Sequence, residues 1–357
     1  MPEKVFWIGA FSKMKLVNTK DAVGHVLCHD ITQIIPGRRK GPVFRKGHIV
    51  TKEDIPVLYS VGKEHLYVWE KKEGMLHEDE AAAILRGICM GEASNMRASD
   101  PCEGKIEITA AENGLFKIRR DALRAVNSLG EMMIATVHAD FPVKCGDKLA
   151  GTRIIPLVIE EEKLFKAKAV AGESPILSIL PFHHTKVGIV VTGSEVAKGL
   201  IQDAFGPVLQ KKLSEYDTEI VGRTIVSDQR DEIQRAIMDF VQNGAQMVLV
   251  SGGMSVDPDD HTPGAISDTG ARIVSYGAPV LPGAMFLLAY LDCEDRTVPL
   301  LGLPGCVMYA KRTIFDLVLP RLLAGEVLEA GDLESYGEGG LCLSCEICHF
   351  PNCGFGK

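Results

Sequence analysis

The sequence has little positive charge, no long apolar run and no export signal, and each shortage excludes a class of protein. Its 357 residues include 39 Lys and Arg against 47 Asp and Glu, which gives a formal net charge of −8. Nucleic-acid binding needs a clustered excess of basic side chains, so we expect no nucleic-acid partner. A short basic stretch, Arg38-Arg39-Lys40 with Arg45 and Lys46, is more typical of a solvated loop than of an anion site.

Membrane and export signals are also lacking. No apolar stretch reaches the roughly 20 residues that a membrane-spanning helix requires, and the opening MPEKVFWIGAFSKMK has no apolar core followed by a small-residue cleavage site. Four of the ten cysteines crowd into the last sixteen residues, and six stand singly at Cys28, Cys89, Cys102, Cys145, Cys293 and Cys306. This distribution favours reduced thiols with one local cluster. We therefore expect a cytoplasmic protein that does not contact a membrane.

What is present is the composition of an ordinary globular protein. Hydrophobic residues make up 46% and charged residues 24% of the chain, and the length is about twice that of a typical domain. Changes of pattern predict three regions. They are a β-rich N-terminal region at 1–180 with room for two subdomains, an α/β domain at 181–325, and a linker with a cysteine-rich tail at 326–357.

The N-terminal region is predicted to be a mixed α+β or mostly β structure. Short β-type runs separated by Gly and Pro occur at 41–44, 47–50, 55–58 and 65–69. Helical patterning is confined mainly to 78–91 and 120–129.

From Lys186 onward, strands alternate with helices. The predicted strands are 186–192, 219–226, 246–250 and 298–303. The predicted helices are 194 to about 216, 231–243 and about 307 to 323. Such alternation is typical of a parallel sheet covered by helices. We therefore predict an α/β fold, a three-layer doubly wound domain with a mostly parallel sheet, preceded by the β-rich α+β region.

Three loops leave these strands through small residues. They are Thr192 to Glu195 (TGSE), Ser251 to Ser255 (SGGMS) and Gly302 to Gly305 (GLPG). In doubly wound sheets, ligands bind beyond the carboxyl ends of the strands, where backbone N–H groups of helix N-termini are unpaired. Glycines let the backbone approach a phosphate, and hydroxyl donors nearby are Ser194, Ser251, Ser255 and Thr262. Each loop alone is also typical of an ordinary strand-to-helix turn, but their order on one sheet predicts an anion site.

Carboxylates follow the same strand ends, at Asp228, Asp257, Asp259 and Asp260. Carboxylates repel a bare phosphate but bind it through a bridging Mg²⁺, so the predicted ligand is a phosphate ester with a divalent cation. Alternatively, Asp228 caps the helix that begins near Asp231, and Asp259 and Asp260 are solvated loop charges.

The order of these motifs resembles the molybdopterin-binding domain shared by molybdopterin molybdenumtransferases, molybdopterin adenylyltransferases and CinA-type proteins. The similarity covers about 186–325 and rests on TGSE, Asp203, Asp228, SGGMSV with Asp260 and Thr262, Pro282-Gly283 and GLPG. The N-terminal half, through DAVGHVLCHDI at 21–31 and residues 44–70, resembles that of the molybdenumtransferases.

This resemblance implies a homodimeric enzyme that inserts molybdate or tungstate into adenylylated molybdopterin with magnesium-assisted release of AMP. It implies that Asp228 and Asp260 are catalytic and that Asp257, Asp259 and Asp260 are candidate metal ligands. It implies that the cofactor is held by Thr192, Gly193, Ser194, Glu195, Ser251, Gly252, Gly253, Ser255, Thr262, Pro282, Gly283, Gly302, Pro304 and Gly305.

The sequence departs from the molybdenumtransferase pattern at several positions. Pro258 stands where the family has an aspartate, Asp257 replaces a glycine, Ala284-Met285 lacks a lysine, and Cys306 replaces an asparagine. An extended N-terminal motif is also missing. These departures favour an alternative, a non-catalytic molybdopterin carrier or chaperone that delivers the cofactor to a recipient molybdoenzyme. A CinA-like nucleotide hydrolase is a third alternative, which the β-rich N-terminal half does not fit.

The C-terminal tail contains four cysteines at close spacing, Cys342, Cys345, Cys348 and Cys353. The spacing is close to that of ferredoxin-type clusters, whose last interval is three residues. Four thiolates, with His349 among them, also suit a tetrahedral Zn²⁺ site. The tail has little apolar material to order it without a metal. An iron–sulfur cluster, Zn²⁺ and a disordered or redox-active thiol tail are the alternatives.

Overall fold

A computed structural model of the chain describes residues 15–25, 27–35, 39–68, 73–255, 257–258 and 260–357. Arg38 of the basic stretch, Trp69 of a predicted strand and Asp259 of the predicted metal site lie outside the described residues. The chain packs into two units. The first contains the described residues up to 111 with 118–137 and 145–178, and the second contains 112–117, 138–144 and 179–357.

The elements are numbered in chain order. The strands are β1 (Lys15–Asn18), β2 (Ile31–Ile35), β3 (Arg39–Phe44), β4 (His65–Val68), β5 (Met75–His77), β6 (Met96–Ala98), β7 (Lys105–Ala110), β8 (Gly114–Ile118), β9 (Met132–Thr136), β10 (Phe141–Val143), β11 (Lys148–Ile154), β12 (Val158–Glu160), β13 (Leu177–Pro181), β14 (Thr185–Thr192), β15 (Thr218–Val226), β16 (Met247–Ser251), β17 (Arg272–Tyr276), β18 (Leu287–Asp292) and β19 (Thr297–Leu303). The helices are α1 (Asp54–Ser60), α2 (Glu78–Met90), α3 (Arg120–Asn127), α4 (Glu161–Ala171), α5 (Ser194–Ala197), α6 (Phe205–Leu213), α7 (Arg230–Gln242), α8 (Thr262–Asp268), α9 (Ile314–Leu323) and α10 (Ala330–Glu334).

The first unit is the predicted α+β structure, built from small antiparallel sheets. Its largest sheet has the order β6-β7-β11-β9, and β1–β4, β2–β3 and β5–β12 form two-stranded sheets. Alternating burial along β7 places Ile106 and Ile108 in the core, where α2 packs on the sheet through Ala81 and Leu85. None of the helices that the structure describes combines the length and apolarity that a membrane span requires.

Three sequence expectations for the first unit are wrong. The run at 47–50, predicted as β-type, is a turn with an isolated bridge residue rather than a strand. The run at 55–58, predicted as β-type, is part of α1. Pro56 is tolerated there because it lies in the first turn, where a backbone N–H has no helical partner, and the Asp54 carboxylate accepts the Thr51 N–H at 2.8 Å ahead of the helix. Helix α4 was not predicted, because its 11 residues carry a weakly separated apolar face.

The second unit is the predicted doubly wound α/β domain. Its six-stranded sheet has the order β15-β14-β16-β19-β18-β17. The pairs β14–β15, β14–β16 and β16–β19 are parallel, whereas β18 pairs antiparallel with β19 and β17 with β18. A smaller sheet of order β10-β8-β13 accompanies it. The fold class is therefore confirmed, with a mostly parallel sheet that carries an antiparallel pair at one side.

Helices cover both faces of the large sheet, because its central strands are apolar on both sides. On one face, Val190, Val248 and Val250 pack with Ile233 and Ile237 of α7. On the other face, Ile189, Val191 and Leu249 pack with residues of α6 and α9, including Leu209, Leu213, Phe315 and Val318. Consecutive residues thus alternate between two helix layers, which gives the three-layer arrangement.

Two predicted helices of this unit are interrupted. The helix predicted from 194 to 216 is broken between α5 and α6: Gly199 has φ +73°, and the Asp203 carboxylate accepts the N–H groups of Phe205 and Gly206 at 2.8 and 3.0 Å, which starts a new helix. The helix predicted from 307 begins only at α9, where Thr313 is the N-cap and Asp316 accepts the Thr313 N–H at 2.7 Å.

The C-terminal tail is anchored to the second unit by apolar contacts, contrary to the expectation that it has little apolar material to order it. Cys342 N–H donates to Leu281 O at 2.8 Å, and Phe355, only 4% exposed, joins the core that contains α9. The Phe350 ring lies 6.3 Å from that of Phe355. Because Gly356 N–H donates to the oxygen of Gly339 at 2.9 Å, the tail is a loop whose two ends meet.

Candidate functional site

The carboxyl ends of the parallel strands lie side by side. Thr192 of β14 pairs in register with Val226 of β15, and Ser251 of β16 pairs with Val191 and with Leu303 of β19. The loops that follow these strands therefore emerge along one edge, as predicted from the sequence. We call the following set the strand-end cradle: Thr192, Ser194, Ser251, Gly252, Gly253 and Thr262.

Glycine is required where the loop after β16 crosses β14. Gly252 has φ +97° and Gly253 has φ +56°, a region that L side chains rarely adopt. A Cβ on Gly252 would lie 2.4 Å from Thr192 O, and a Cβ on Gly253 would lie 2.9 Å from Thr262 Oγ1. The two glycines thus let the backbone of this loop pass directly against the end of the neighbouring strand.

Two hydroxyls of the strand-end cradle are buried and lack a partner in the part of the chain that the structure describes. Thr192 is 4% exposed and Ser251 is 0% exposed, and neither hydroxyl oxygen has a hydrogen-bond partner among the described residues. Thr262 differs, because its hydroxyl donates to Gly252 O at 2.8 Å. A buried unpaired polar group costs about 1–3 kcal/mol, so an oxygen-rich ligand that paired with both hydroxyls would recover that cost.

Asp228 is the carboxylate that the structure brings to the strand-end cradle. It is half-buried, and its Oδ2 accepts the N–H of Ser194, the first residue of α5, at 2.7 Å. His261 Nδ1 donates to the backbone oxygen of Asp228 at 2.7 Å. The predicted cap on α7 is not its role; Asp228 instead ties the loop after β15 to the loop after β14.

The acidic loop after β16 is held mainly by its own backbone. Asp260 N–H donates to Asp257 O at 3.0 Å, and Asp257 N–H lies 3.4 Å from Asp260 Oδ2. Tyr276, which sequence reasoning missed, donates its hydroxyl to the backbone oxygens of Met254 and Ser255 at 3.1 and 3.3 Å. Burial and then the Asp260 charge raise the pKa of Tyr276, so the phenol stays a donor at neutral pH.

Among the described residues, the carboxylates of this edge are not part of a three-ligand group with oxygens within 4.8 Å of one another. Asp228 already accepts a backbone hydrogen bond, and Asp257 and Asp260 belong to a different loop. The donor set suits Mg²⁺ only if oxygens of a bound phosphate complete it.

The remaining predicted cofactor residues serve as close-packing positions or lie open to solvent. A Cβ on Gly283 would lie 2.5 Å from Ile314 Cγ2, and one on Gly302 would lie 2.7 Å from the Met254 thioether. Pro282 O accepts the Ile314 N–H at 3.3 Å at the start of α9. Gly193 is half-buried and Pro304 is buried, whereas Glu195, Ser255 and Gly305 are exposed. Their contact with a ligand stays a prediction.

A polar cluster in the first unit was also missed by sequence reasoning. His77, Glu78 and Asp79 offer ligand atoms within 4.8 Å of one another. Lys46, which the sequence predicts to be in a solvated loop, lies where a metal ion would bind to this cluster. Its Nζ donates to His77 Nδ1 at 2.7 Å and to Asp79 Oδ2 at 2.6 Å. His77 Nε2 donates to Cys28 O at 2.7 Å. Both imidazole nitrogens are therefore hydrogen-bonded, and the cluster is a network of hydrogen bonds and a salt bridge within the first unit.

Comparisons with known proteins agree with the sequence motifs. Residues 188–324 match a family profile described as "Probable molybdopterin binding domain", and residues 16–70 match one described only as a domain of unknown function. A CinA-like protein of Mycobacterium avium is 36% identical over 77 residues, which are 22% of this chain and 18% of that protein. A molybdenum cofactor biosynthesis bifunctional protein of Synechococcus elongatus is 34% identical over 83 residues, 23% of this chain and 26% of that protein.

Several solved structures are similar to part of the chain. The tungsten cofactor synthesizing protein MoaB from Pyrococcus furiosus is 23% identical, over 35% of this chain and 84% of that chain, with a TM-score of 0.31. The molybdopterin biosynthesis enzyme MoaB from Thermus thermophilus is 18% identical, over 40% of this chain and 98% of that chain, with a TM-score of 0.32. This chain spans about a fifth to a quarter of the curated relatives named above.

The mostly parallel sheet with a helix layer on each face places the second unit in the doubly wound α/β class. Within that class, residues 188–324 match the profile of the probable molybdopterin-binding domain, and part of the chain is similar to a molybdenum cofactor biosynthesis protein. The family resemblance expected from TGSE, SGGMSV and GLPG is thereby confirmed.

Proposed function

We propose that the second unit binds the phosphate end of molybdopterin at the strand-end cradle. The observation that carries this proposal is the pair of buried hydroxyls, Thr192 and Ser251, that have no partner among the described residues. Gly252 and Gly253 bring backbone close to the same strand end. A phosphate ester offers several acceptor oxygens at once, and acceptors are what these buried hydroxyl donors need.

We further propose that the protein is a transferase that inserts molybdate or tungstate into adenylylated molybdopterin with release of AMP. Asp228 and Asp260, with Asp257 or Asp259, would hold Mg²⁺ beside the phosphoanhydride. The ion would supply neutralisation of the charge that develops on the phosphate oxygens. The residues of the strand-end cradle would orient the phosphate, and the N–H donors of the glycine loop would stabilise its charge. A homodimer and a cytoplasmic location belong to the same proposal.

A non-catalytic molybdopterin carrier that delivers the cofactor to a molybdoenzyme is the second candidate. The observation that favours it is the dispersal of the described carboxylates, which do not gather into a preformed three-ligand group. Pro258 in place of a family aspartate agrees with that dispersal.

Thr192→Val tests the binding proposal sharply, because valine keeps the shape and removes the hydroxyl. The unliganded variant should be at least as stable as the wild type, since an unpaired buried hydroxyl is removed. Its affinity for molybdopterin should nevertheless fall about tenfold, because a hydrogen bond to a charged group contributes about 1.5–3 kcal/mol. Calorimetric titration and thermal unfolding measure the two effects separately.

Thr297→Val is the matched control, because Thr297 lies at the opposite end of β19 and its hydroxyl donates to Asp292 Oδ1 at 2.8 Å. This control should lose a little stability and keep its affinity. Unchanged affinity in Thr192→Val would contradict binding at the strand-end cradle.

The transferase and the carrier are separated by incubation with adenylylated molybdopterin, Mg²⁺ and molybdate. The transferase should release AMP in parallel with metallated cofactor, and Asp260→Asn should abolish the release without abolishing binding. Binding with no AMP release would leave the carrier as the function.

A further inference from the structure

All four tail cysteines line a single cavity. Its volume is about 670 Å³, and its lining includes Cys342, Cys345, Cys348 and Cys353. Cys342 and Cys353 are half-buried, whereas Cys345 and Cys348 are exposed, and all four are free thiols. The loop therefore presents four metal-binding sulfurs to one space without joining them in disulfides.

The opposite walls of the cavity come from two segments of the α/β domain. One is the turn at Leu281 and Pro282, and the other is the segment 309–312 that precedes α9. Both walls are fixed by the fold, because Pro282 O accepts the Ile314 N–H and Lys212 Nζ donates to Lys311 O at 3.0 Å. The cavity thus has a rigid side and a side formed by the tail.

The separation of the sulfurs favours a cluster over a single zinc ion. In a tetrahedral zinc site with Zn–S bonds of about 2.3 Å, the four sulfurs lie only about 3.8 Å apart. No three tail thiols lie within 4.8 Å of one another in the part of the chain that the structure describes. In a cubane cluster each thiolate binds a different iron, so its sulfurs are spread more widely.

The order of the cysteines agrees with a cluster. Two intervals of two residues, from Cys342 to Cys345 to Cys348, are those of three successive ligands in ferredoxin-type sequences. In two-cluster ferredoxins the fourth cysteine of the run ligates the other cluster. Here the longer interval to Cys353 is bridged by Phe350, which packs on Phe141 at 5.7 Å between ring centroids. The anchored ring returns the chain, so that Cys353 lines the same cavity.

Positive charge lies beside the cavity. Lys311 Nζ donates to the backbone oxygens of Cys345 and Glu346, the former at 3.2 Å. The Arg312 guanidinium lies 5.0 Å from the centre of the Phe350 ring, but its charge is paired with Glu215 and Asp316. Four thiolates on a cubane leave a net negative charge, which the Lys311 ammonium would stabilise.

We propose that Cys342, Cys345, Cys348 and Cys353 bind one cubane [4Fe–4S] cluster in this cavity. The site is distinct from the strand-end cradle, and the proposal does not depend on pterin binding. His349 lines the cavity but is not a ligand.

The full-length protein, purified without oxygen and reconstituted with Fe²⁺ and sulfide, tests the proposal. We expect about four iron and about four sulfide per chain, a broad visible absorption band and a paramagnetic signal after reduction with dithionite. Cys345→Ser and Cys348→Ser should lower bound iron at least fourfold. The matched controls Cys102→Ser and Cys145→Ser, also at exposed cysteines, and His349→Ala should keep it.

Alkylation followed by mass spectrometry provides a second measurement on the unsubstituted protein. Reconstitution should protect the four tail thiols and leave Cys102 and Cys145 reactive. Tight binding of one Zn²⁺ that excludes iron would overturn the proposal, as would about two iron per chain or equal loss of iron in the Cys102→Ser control.

Discussion

The strand-end cradle and the cavity lined by the four tail cysteines, here called the tail cavity, lie in the same unit. Different parts of the chain hold them in place. The cradle residues end or follow strands that are buried on both faces of the sheet, so the core of the domain fixes their positions. The tail cavity is closed by a loop that depends on Phe350, Phe355 and a few backbone hydrogen bonds. Substitutions in the cradle should therefore change the local backbone and side-chain geometry of the cradle. Substitutions in the tail should change how firmly the tail loop docks on the domain.

The largest effect is expected from Phe355→Ala. Removing a buried phenylalanine costs about 3–5 kcal/mol, and most of this loss should appear as release of the tail. Alkylation of Cys342 and Cys353, both half-buried, should become much faster, while molybdopterin affinity stays within about twofold. Phe165→Ala, at an exposed phenylalanine, is the control. If Phe355→Ala lost molybdopterin binding as well as tail docking, the two sites would not be independent of each other.

Gly252→Ala is the corresponding change in the cradle. The new Cβ would lie 2.4 Å from Thr192 O at a backbone φ of +97°, so we expect a loss of about 3 kcal/mol in unfolding free energy and loss of pterin binding. Urea denaturation and calorimetric titration measure these effects. Gly305→Ala, where a Cβ has open space, should leave stability unchanged. Faster alkylation of the tail thiols in Gly252→Ala would contradict the expectation that this substitution disturbs only the strand-end cradle.

Glu78 should make the stability of the protein depend on pH. Glu78 lies in the first unit, so this effect is separate from both the strand-end cradle and the tail cavity. It is 7% exposed, and burial, followed by the charge of Asp79, raises its pKa from 4.5 to about 7. Because the folded state binds this proton more tightly, the contribution to stability is complete below pH 4.5 and is lost as the pH rises to about 7.

Between those pH values, the wild type should lose up to about 3 kcal/mol of stability relative to Glu78→Gln. Unfolding by urea at several pH values measures the difference. Glu92→Gln, at an exposed position, should follow the wild type. Parallel stability curves for Glu78→Gln and the wild type would refute the assignment.

Lys212→Met should have the smallest effect. Lys212 donates to both carboxylate oxygens of buried Asp316 at 2.8 and 2.7 Å, but Arg312 and the Thr313 N–H keep contact with Asp316 after the change. We therefore expect a loss of about 2 kcal/mol, measured by thermal unfolding, and a modest decrease in retained iron because the Lys311 wall loosens. Lys211→Met, at the exposed neighbouring residue, should change neither.

Much of the α/β domain could be predicted from the sequence, because β14, β16 and α7 have strong apolar patterns. The break between α5 and α6 could not, since it depends on the Asp203 cap and Gly199 rather than on periodicity. The antiparallel strands β17 and β18 were missed: short apolar runs of this kind do not distinguish a strand from a buried helix segment.

For the candidate site, sequence order correctly brought Thr192, Asp228 and Ser251 to one edge. It could not show that two hydroxyls lack partners among the described residues, because that depends on what surrounds each strand end in space. Nor could it show that Phe350 and Phe355 dock the tail, since which apolar side chains of a short loop enter the core depends on the elements that surround the loop.

Alternation along the strands has one more consequence for the ligand. Thr192 follows Val190 on the face covered by α7, whereas Ser251 follows Leu249 on the face covered by α6 and α9. These two hydroxyls, which lack partners among the described residues, therefore flank the sheet from opposite sides. A phosphate that pairs with both must lie across the rim of the sheet, so we expect a phosphate ester with further polar groups along the rim to bind more tightly than inorganic phosphate alone.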